Sequence, residues 1–310
     1  MTFVSYAQNF EDVMLWRALK HVEGGFYVDV GAQDPAIDSV SLAFYEHGWR
    51  GVHIEPSLVY ADKLRRSRPD EIVIQAAIAA APSTRVFFEI PDTGLSTADR
   101  EIAERHRAQG FTVIETVVPY LTLTQALEPF AGRDIHWLKI DVEGFEGEVI
   151  QGWDATAIRP WVLVVESMAP NTPEETHLAW ESQVIQRGYD FVYFDGLNRY
   201  YISADHRELA ASFDRPPNYF DFFVINQVVA NDAEIGRLRG CVDEVTENLA
   251  QARSDLSARD REIERLNAHI AWQQGEKKRL DTELTQIQAM LAAMYASTSW
   301  RASAPLRAIA

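Results

Sequence analysis

Apolar positions along this chain follow two different rhythms. In the larger, first part they come as short runs: FYVDV (26–30), GVHIE (51–55), EIVIQ (71–75), HWLKID (136–141) and WVLVVE (161–166). The runs are rich in Val and Ile and lack strict alternation, a pattern that predicts strands covered on both faces. Helical patterns lie between them at 39–47, 57–67, 145–152 and 174–187. Such alternation predicts an α/β domain built on a mostly parallel central sheet.

Beyond a join near Asn226 to Asp232 the rhythm becomes a heptad that runs unbroken from Ile235 to Met294. The a positions are Ile235, Val242, Leu249, Leu256, Ile263, Ile270, Lys277, Leu284 and Leu291. The d positions are Leu238, Val245, Ala252, Arg259, Leu266, Gln273, Leu280, Ile287 and Met294, and fifteen of the eighteen are apolar. A period of this kind predicts one long helix, roughly 90 Å at about 1.5 Å per residue. Its narrow seam stays wet unless another helix covers it, so a homo-oligomer held by a coiled coil is expected. Arg259, Gln273 and Lys277 interrupt the seam, as polar positions that set register or oligomer number do. The expected organisation is a folded domain over residues 1–228, a coiled coil over 232–295 and a short cationic amphipathic tail over 296–310. Trp300, Arg301, Leu306, Arg307 and Ile309 suit that tail to a partner surface or a membrane interface.

Charge narrows the partners. The net charge is −17, and residues 1–231 carry 34 acids against 18 Lys plus Arg. That balance argues against nucleic acid, which needs clustered cations, and is compatible with a cationic ligand or with simple solubility. No apolar run is long enough to span a bilayer. The opening MTFVSYAQNFEDVM has acids where a signal peptide has a basic end, and the single cysteine, Cys241, fits a reducing compartment. A cytoplasmic location is expected.

Candidate chemistry begins at FYVDVGAQDP. Asp29 stands near the carboxyl end of the first run and Gly31 opens the loop after it; parallel sheets bind ligands beyond such strand ends. The second run ends in Glu55, placed to accept hydrogen bonds from both hydroxyls of a ribose. The loop lacks G-x-G-x-x-G and carries Asp34, which repels a pyrophosphate. This disfavours an NAD-linked oxidoreductase and favours a phosphate-free, positively charged nucleoside, S-adenosylmethionine. A second concentration of acids lies in WLKIDVEGFEGEVIQGW (137–153). Asp141 and Glu143 stand at the strand end, on one face with Lys139 if the strand runs on to Glu143. Glu146 and Glu148 then complement the first turn of a helix, and Glu166 ends the next run. Oxygen ligands of this kind can bind Mg²⁺, but nothing in the spacing demands it and no metal is expected. His53 and His136 in strands, and His47, His106 and His177 in helical segments, read as structural or solvated. In YFDGLNRYY (193–201), Tyr193, Asp195, Asn198, Arg199 and Tyr200 suit either a sugar-binding surface or a β-hairpin with packed aromatics.

Taken in order, SYAQNFEDVML (5–15), FYVDVGAQDP (26–35), GWRGVHIEP (48–56), AAIAA (76–80), GLST (94–97), LKIDVEGFEGEVIQGW (138–153), VVES (164–167), GYDFVYFDGLNRYYI (188–202) and PPNYFDFFV (216–224) resemble the FkbM family of S-adenosylmethionine-dependent methyltransferases. The block at 188–202 and the coiled-coil tail are similar to members found among bacterial polysaccharide-assembly enzymes. The resemblance implies a Rossmann-like class I methyltransferase fold. It also implies O-methylation of a saccharide acceptor: a sugar nucleotide, a lipid-linked sugar or a polymeric glycan. It places Asp29, Gly31 and Ala32 on the methionine-binding loop, Glu55 on the ribose, and Ala77 and Ile78 at the adenine pocket. Gln8, Asn9 and Asp12 belong to the opening motif, expected to fold over the cofactor mouth. Asp141, then Glu143 and Glu166, are the candidates for catalysis or acceptor positioning. Gln33-Asp34-Pro35 departs from the Asn, Asp and Gly of many relatives, and proline predicts a stiffer loop. The rival expectation is a coiled-coil scaffold that keeps the fold without the chemistry.

Overall fold

The five Val- and Ile-rich runs become adjacent strands of one sheet in a computed structural model that describes residues 3–302. In chain order the strands are β1 (Phe3–Ser5), β2 (Phe26–Val30), β3 (Arg50–Ile54), β4 (Ile72–Ile74), β5 (Ala77–Ile78), β6 (Ser83–Glu89), β7 (Ile114–Leu121), β8 (Trp137–Ile140), β9 (Val162–Glu166), β10 (Tyr189–Phe194), β11 (Asn198–Ser203) and β12 (Phe223–Ile225). The helices are α1 (Glu11–Leu19), α2 (Val40–Glu46), α3 (Leu58–Ser67), α4 (Arg100–Ala108), α5 (Leu123–Leu127), α6 (Glu146–Gln151), α7 (Glu181–Gln186), α8 (Asn226–Ala296) and α9 (Thr298–Ala302). The chain divides into two compact units between Ala230 and Asn231.

The central sheet of the first unit has seven strands in the order β10-β11-β9-β8-β2-β3-β4. From β9 to β4 each pairing is parallel, while β11 runs antiparallel to both β9 and β10. The parallel arrangement expected from the apolar runs therefore covers those five strands. The hairpin β10–β11, built from the aromatic block, makes the whole sheet mixed.

Each central strand feeds two cores, which is why its residues do not alternate with polar ones. Tyr27, Trp137, Val162 and Val164 face a layer containing Met14, Leu15, Ala18 and Leu19 of α1 and Phe44 of α2. Their neighbours Val28, Leu138, Leu163 and Val165 face Leu123 and Leu127 of α5, Val149 and Ile150 of α6, and Val184 of α7. Of the helical patterns, 174–187 is helical only over its second half, after a short turn at His177–Ala179.

Beside this sandwich, β5, β7 and β6 form a three-stranded sheet in that order. Ala77, Phe87, Val118 and Tyr120 pack together under it. The two ends of the unit are joined by parallel pairing of β1 with β12, with Phe3 opposite Phe223. Arg17 on α1 reinforces that join. Its guanidinium meets Asp221 at 2.7 and 2.6 Å and donates to the carbonyls of Ser212, Arg215 and Pro216 at 2.8–3.0 Å.

The helix α8, most of which belongs to the second unit, is 71 residues long and buries none of them, a contour of roughly 105 Å at about 1.5 Å per residue. Seam residues such as Val242, Leu256 and Leu284 are exposed at 63%, 61% and 55%. Of the tail expected over 296–310, Leu306, Arg307 and Ile309 lie outside the described residues. Among the described residues no helix is long and apolar enough to cross a membrane.

Arg17→Met leaves Asp221 without its partner in a site where the two side chains are only 15% and 8% exposed. The expected loss is about 3–5 kcal/mol of stability, measured by denaturant unfolding. Arg17→Lys restores little of it, because an ammonium cannot reproduce the fork of donors.

Candidate active site

The site is built where β2, β3 and β8 end side by side. Gly31 follows β2 with φ +82°, and a Cβ at that position would lie 1.7 Å from the carbonyl oxygen of Asp141. Backbone hydrogen bonds fix this approach: Gly31 N–H donates to Ile54 at 2.9 Å, and Asp141 N–H to Val30 at 3.0 Å. Glycine is required both for the left-handed backbone and for the space. The chain order of the sheet reverses at β2, so the ends of β2 and β8 form the switch point where such sheets bind ligands.

A cavity of about 530 Å³ opens there, a size usual for small-molecule sites. Gln8, Asp29, Gly31, Ala32, Glu55, Ala77 and Ile78 all line it, as do Asp141 and Glu143. Ile54, Tyr60, Ala77, Ile78 and Phe87 supply apolar lining, and Asp29, Glu55, Asp141 and Glu143 supply acids.

Asp29 is buried, and its Oδ2 accepts from Ser41 Oγ at 2.8 Å. Glu55 accepts one backbone N–H on each oxygen, from Gln33 at 2.9 Å and Ser57 at 2.8 Å. Burial nevertheless pushes its pKa up to about 7 against the pull of those two bonds. Asp34 lines the cavity as well; it closes its own turn by accepting from Ala36 and Ile37 N–H, and it pairs with Lys63 at 3.1 Å. The loop it belongs to is held from behind by buried Arg68, which bonds Pro35 O, Ser39 Oγ and Ser41 Oγ.

Asp141 and Glu143 come together, but not by strand alternation. The strand β8 stops at Ile140, and the chain turns through Glu143 at φ +54° and Gly144 at φ +94°. Glu146, in the first turn of α6, holds this turn by accepting from Val142 N–H at 3.2 Å and Gly144 N–H at 3.1 Å; burial raises its own pKa to about 7. Glu148 accepts from Ala80 N–H at 3.4 Å. Both helix-start acids therefore serve neighbouring backbone. Lys139, nine-tenths buried, donates to Asp141 Oδ2 at 2.5 Å. Burial works against its charge, but Asp141, Glu11 and Asp29 outweigh that effect and hold its pKa above the ordinary lysine value. Glu166, at the end of β9, does not line the cavity, yet one of its oxygens lies within 4.8 Å of oxygens of Asp141 and Glu143. Burial first, then the neighbouring acids, raises both Glu143 and Glu166 well above the carboxylate range.

The remaining candidates stand elsewhere. Tyr193, Asp195, Asn198 and Arg199 do not line the cavity. Asp195 closes the hairpin turn by accepting from Leu197 N–H, Asn198 N–H and Tyr200 OH. Tyr193 packs on Tyr200, and Arg199 pairs with Glu181 at 2.9 Å over the ring of Phe191. Asn198 has the most consequential contact, 2.9 Å from its Nδ2 to Glu11 Oε1. In the opening motif Gln8 reaches the cavity. Asn9 instead bonds the backbone of Asp195, and Asp12 is a buried cap for Ser5 Oγ and Tyr6 N–H.

Two lining features were missed in the sequence. Glu11 lines the cavity from the start of α1, where an acid reads as an ordinary helix-dipole partner. Residues 92–96 line it too, anchored by Gln33 Nε2 on Thr93 O at 2.6 Å; GLST carried a resemblance but no chemistry of its own.

The family model described as the methyltransferase FkbM domain matches residues 29–191, more than half of the chain. The protein belongs to the FkbM methyltransferase family. Methyltransferases of this kind generally draw their methyl group from S-adenosylmethionine. The FkbM match begins at Asp29 and contains Gly31, Glu55, Asp141, Glu143 and Glu166, whereas Gln8, Glu11 and Asn198 lie outside it. A search of curated proteins returned no significant match.

Gly31→Ala in this FkbM protein must displace the Asp141 backbone while adopting a left-handed φ. The expected cost is about 2–4 kcal/mol, from αL strain plus the clash, read by thermal unfolding. A variant as stable as wild type contradicts the contact.

Proposed function

We propose that this FkbM-family protein is an S-adenosylmethionine-dependent O-methyltransferase acting on a hydroxyl of a saccharide. The observation that carries the proposal is the meeting of Asp29, Gly31, Glu55, Asp141 and Glu143 in the lining of one cavity. The strand order supports a Rossmann-like class I assignment: a switch point at β2, parallel strands to both sides, and one reversed strand next to an edge.

The residues fit the cofactor by their chemistry. Each oxygen of Glu55 keeps a lone pair beyond the backbone N–H it already holds, enough for two ribose hydroxyls. Tyr60, Ala77, Ile78 and Phe87 offer an apolar slot for the adenine. Asp29 and the surrounding acids favour a ligand with positive sulfonium and ammonium groups. When bound, the cofactor supplies an electrophilic methyl group and its own leaving group. What remains for the protein is positioning of the acceptor and removal of a proton late in the reaction. Asp141, oriented by Lys139, is the group for positioning; Glu143, beside it and poorly neutralised, is the proton acceptor. The saccharide class rests on the likeness of residues 188–202 and the tail to polysaccharide-assembly members, and on a carboxylate-rich wall suited to bonding sugar hydroxyls. The hairpin residues support that wall through Asn198 and Glu11.

The second unit points to a second copy of the chain. A 71-residue helix with an exposed heptad seam finds its cover most directly in the same seam of another copy.

Two measurements test these readings. Asp141→Asn should lower labelled-methyl transfer to sugar nucleotides or lipid-linked oligosaccharides by about 10²–10⁴-fold, while S-adenosylhomocysteine still binds in calorimetry. No binding heat or thermal shift with wild type would defeat the enzymatic reading and favour a scaffold. In sedimentation, the full chain should be a dimer or larger at micromolar concentration, and Ile263→Asp with Leu266→Asp should dissociate it; a wild-type monomer refutes the coiled coil.

A further inference from the structure

The corner where β8 and β9 end gathers three carboxyl groups against one lysine. One oxygen from each of Asp141, Glu143 and Glu166 lies within 4.8 Å of the other two. Lys139 bonds Asp141 Oδ2, which offsets one of the three charges. Glu166 is 7% exposed, and its Oε2 is buried without a hydrogen-bond donor. A buried carboxylate oxygen left in that state is costly unless something positive reaches it.

We propose that Asp141, Glu143 and Glu166 bind a hard divalent cation, Mg²⁺ or Mn²⁺, beside the cofactor cavity. The donor set is all carboxylate oxygen, with no imidazole or thiolate, which selects the hard ions over zinc or copper. The charge count agrees: with all three carboxyls ionised by the incoming cation, the lysine leaves two negative charges, which one divalent ion neutralises. Access agrees as well, because Asp141 and Glu143 line the cavity, although Glu166 does not. An ion held there would be reached from the cavity through Asp141 and Glu143, where water or the acceptor would complete its oxygen ligands. This arrangement also gives a reason for the turn at Glu143. Had the strand continued, its carboxylate would not fold back toward the end of β9.

The ion's role rests on the methyltransferase reading, although its binding does not. A sugar hydroxyl placed against the cation loses its proton more readily. As the oxygen–methyl bond forms, the carbon–sulfur bond breaks with its electron pair passing to sulfur. The proton leaves to a carboxylate or to solvent. Glu143 then serves as ligand rather than base, and Asp141, which Lys139 orients, positions the acceptor through the ion.

The test is direct binding to the full chain after stripping with chelator. Mn²⁺ is titrated in, free Mn²⁺ is followed by its paramagnetic resonance signal, and Mg²⁺ is added as competitor. One Mn²⁺ per chain, displaced by Mg²⁺, is expected. Glu166→Gln and Glu143→Gln should each weaken binding by at least about tenfold, the usual loss for a removed ligand or its support. Asp190→Asn, on the exposed edge strand β10, should leave it unchanged. Metal-free Glu166→Gln should melt no lower than wild type, since it relieves repulsion, and Mn²⁺ should raise the melting temperature of wild type alone. A free-Mn²⁺ signal undiminished through millimolar additions overturns the inference, as does equal binding by Glu166→Gln. S-adenosylhomocysteine binding, measured on the same samples, separates the two readings. Cofactor bound without a Mn²⁺ site removes the ion and leaves the methyltransferase; Mn²⁺ bound without cofactor keeps the ion and removes the cofactor reading.

Discussion

The arrangement of the cavity depends on a contact between two backbones. The end of β2 passes so near the end of β8 that position 31 has no room for a Cβ beside the Asp141 carbonyl. That approach sends the loop after β2 toward Glu55, whose carboxylate it then bonds through Gln33 N–H. On the other side it holds the first residue of the acidic turn at a fixed distance from Asp29. Backbone contacts of this kind transmit position without rotamer freedom, so side chains on different strands keep a common frame.

Charge is the second organising element. Glu11, Asp29, Glu55, Asp141 and Glu143 all line one cavity, and Lys139 sits nearly buried among several of them. In water these acids would simply be ionised. Here burial raises Glu11, Glu55 and Glu143, and the site accommodates its charge through one lysine and through backbone donors. An acidic, partly desolvated wall repels phosphates and favours positively charged ligands. That agrees with the single-glycine loop, which does not form a pyrophosphate cradle.

Much of this was legible in the chain because it follows from local rules. Buried strands announce themselves by Val and Ile runs, so all five parallel strands and the residues at their carboxyl ends could be located from periodicity. The heptads likewise foretold a single uninterrupted helix, although it begins at Asn226, ahead of the first heptad position. What escaped was non-local or irregular. The strands β6 and β7 lean against a small satellite core and carry Pro119 and exposed positions, so their period is weak. Glu143 was paired with Asp141 correctly but for the wrong reason, since a left-handed turn rather than a pleat brings it round. Glu11 could not be seen as part of the site, because its neighbours there come from the far end of the domain. The aromatic hairpin, by contrast, offered two readings of equal weight, and its polar side chains are engaged with one another, with α1 and with α7.

The bond from Asn198 to Glu11 spans 187 residues, and the pairing of β1 with β12 reaches further still. These links give the molecule a biosynthetic timetable. A nascent chain emerging at about 5–20 residues per second places Glu11 outside the ribosome roughly ten to forty seconds before its partner exists. During that interval the glycine loop and the acidic turn can form, but the wall carrying Gln8 and Glu11 has nothing to lean on. The catalytic half therefore reaches completion only as the first residues of the long helix are being made.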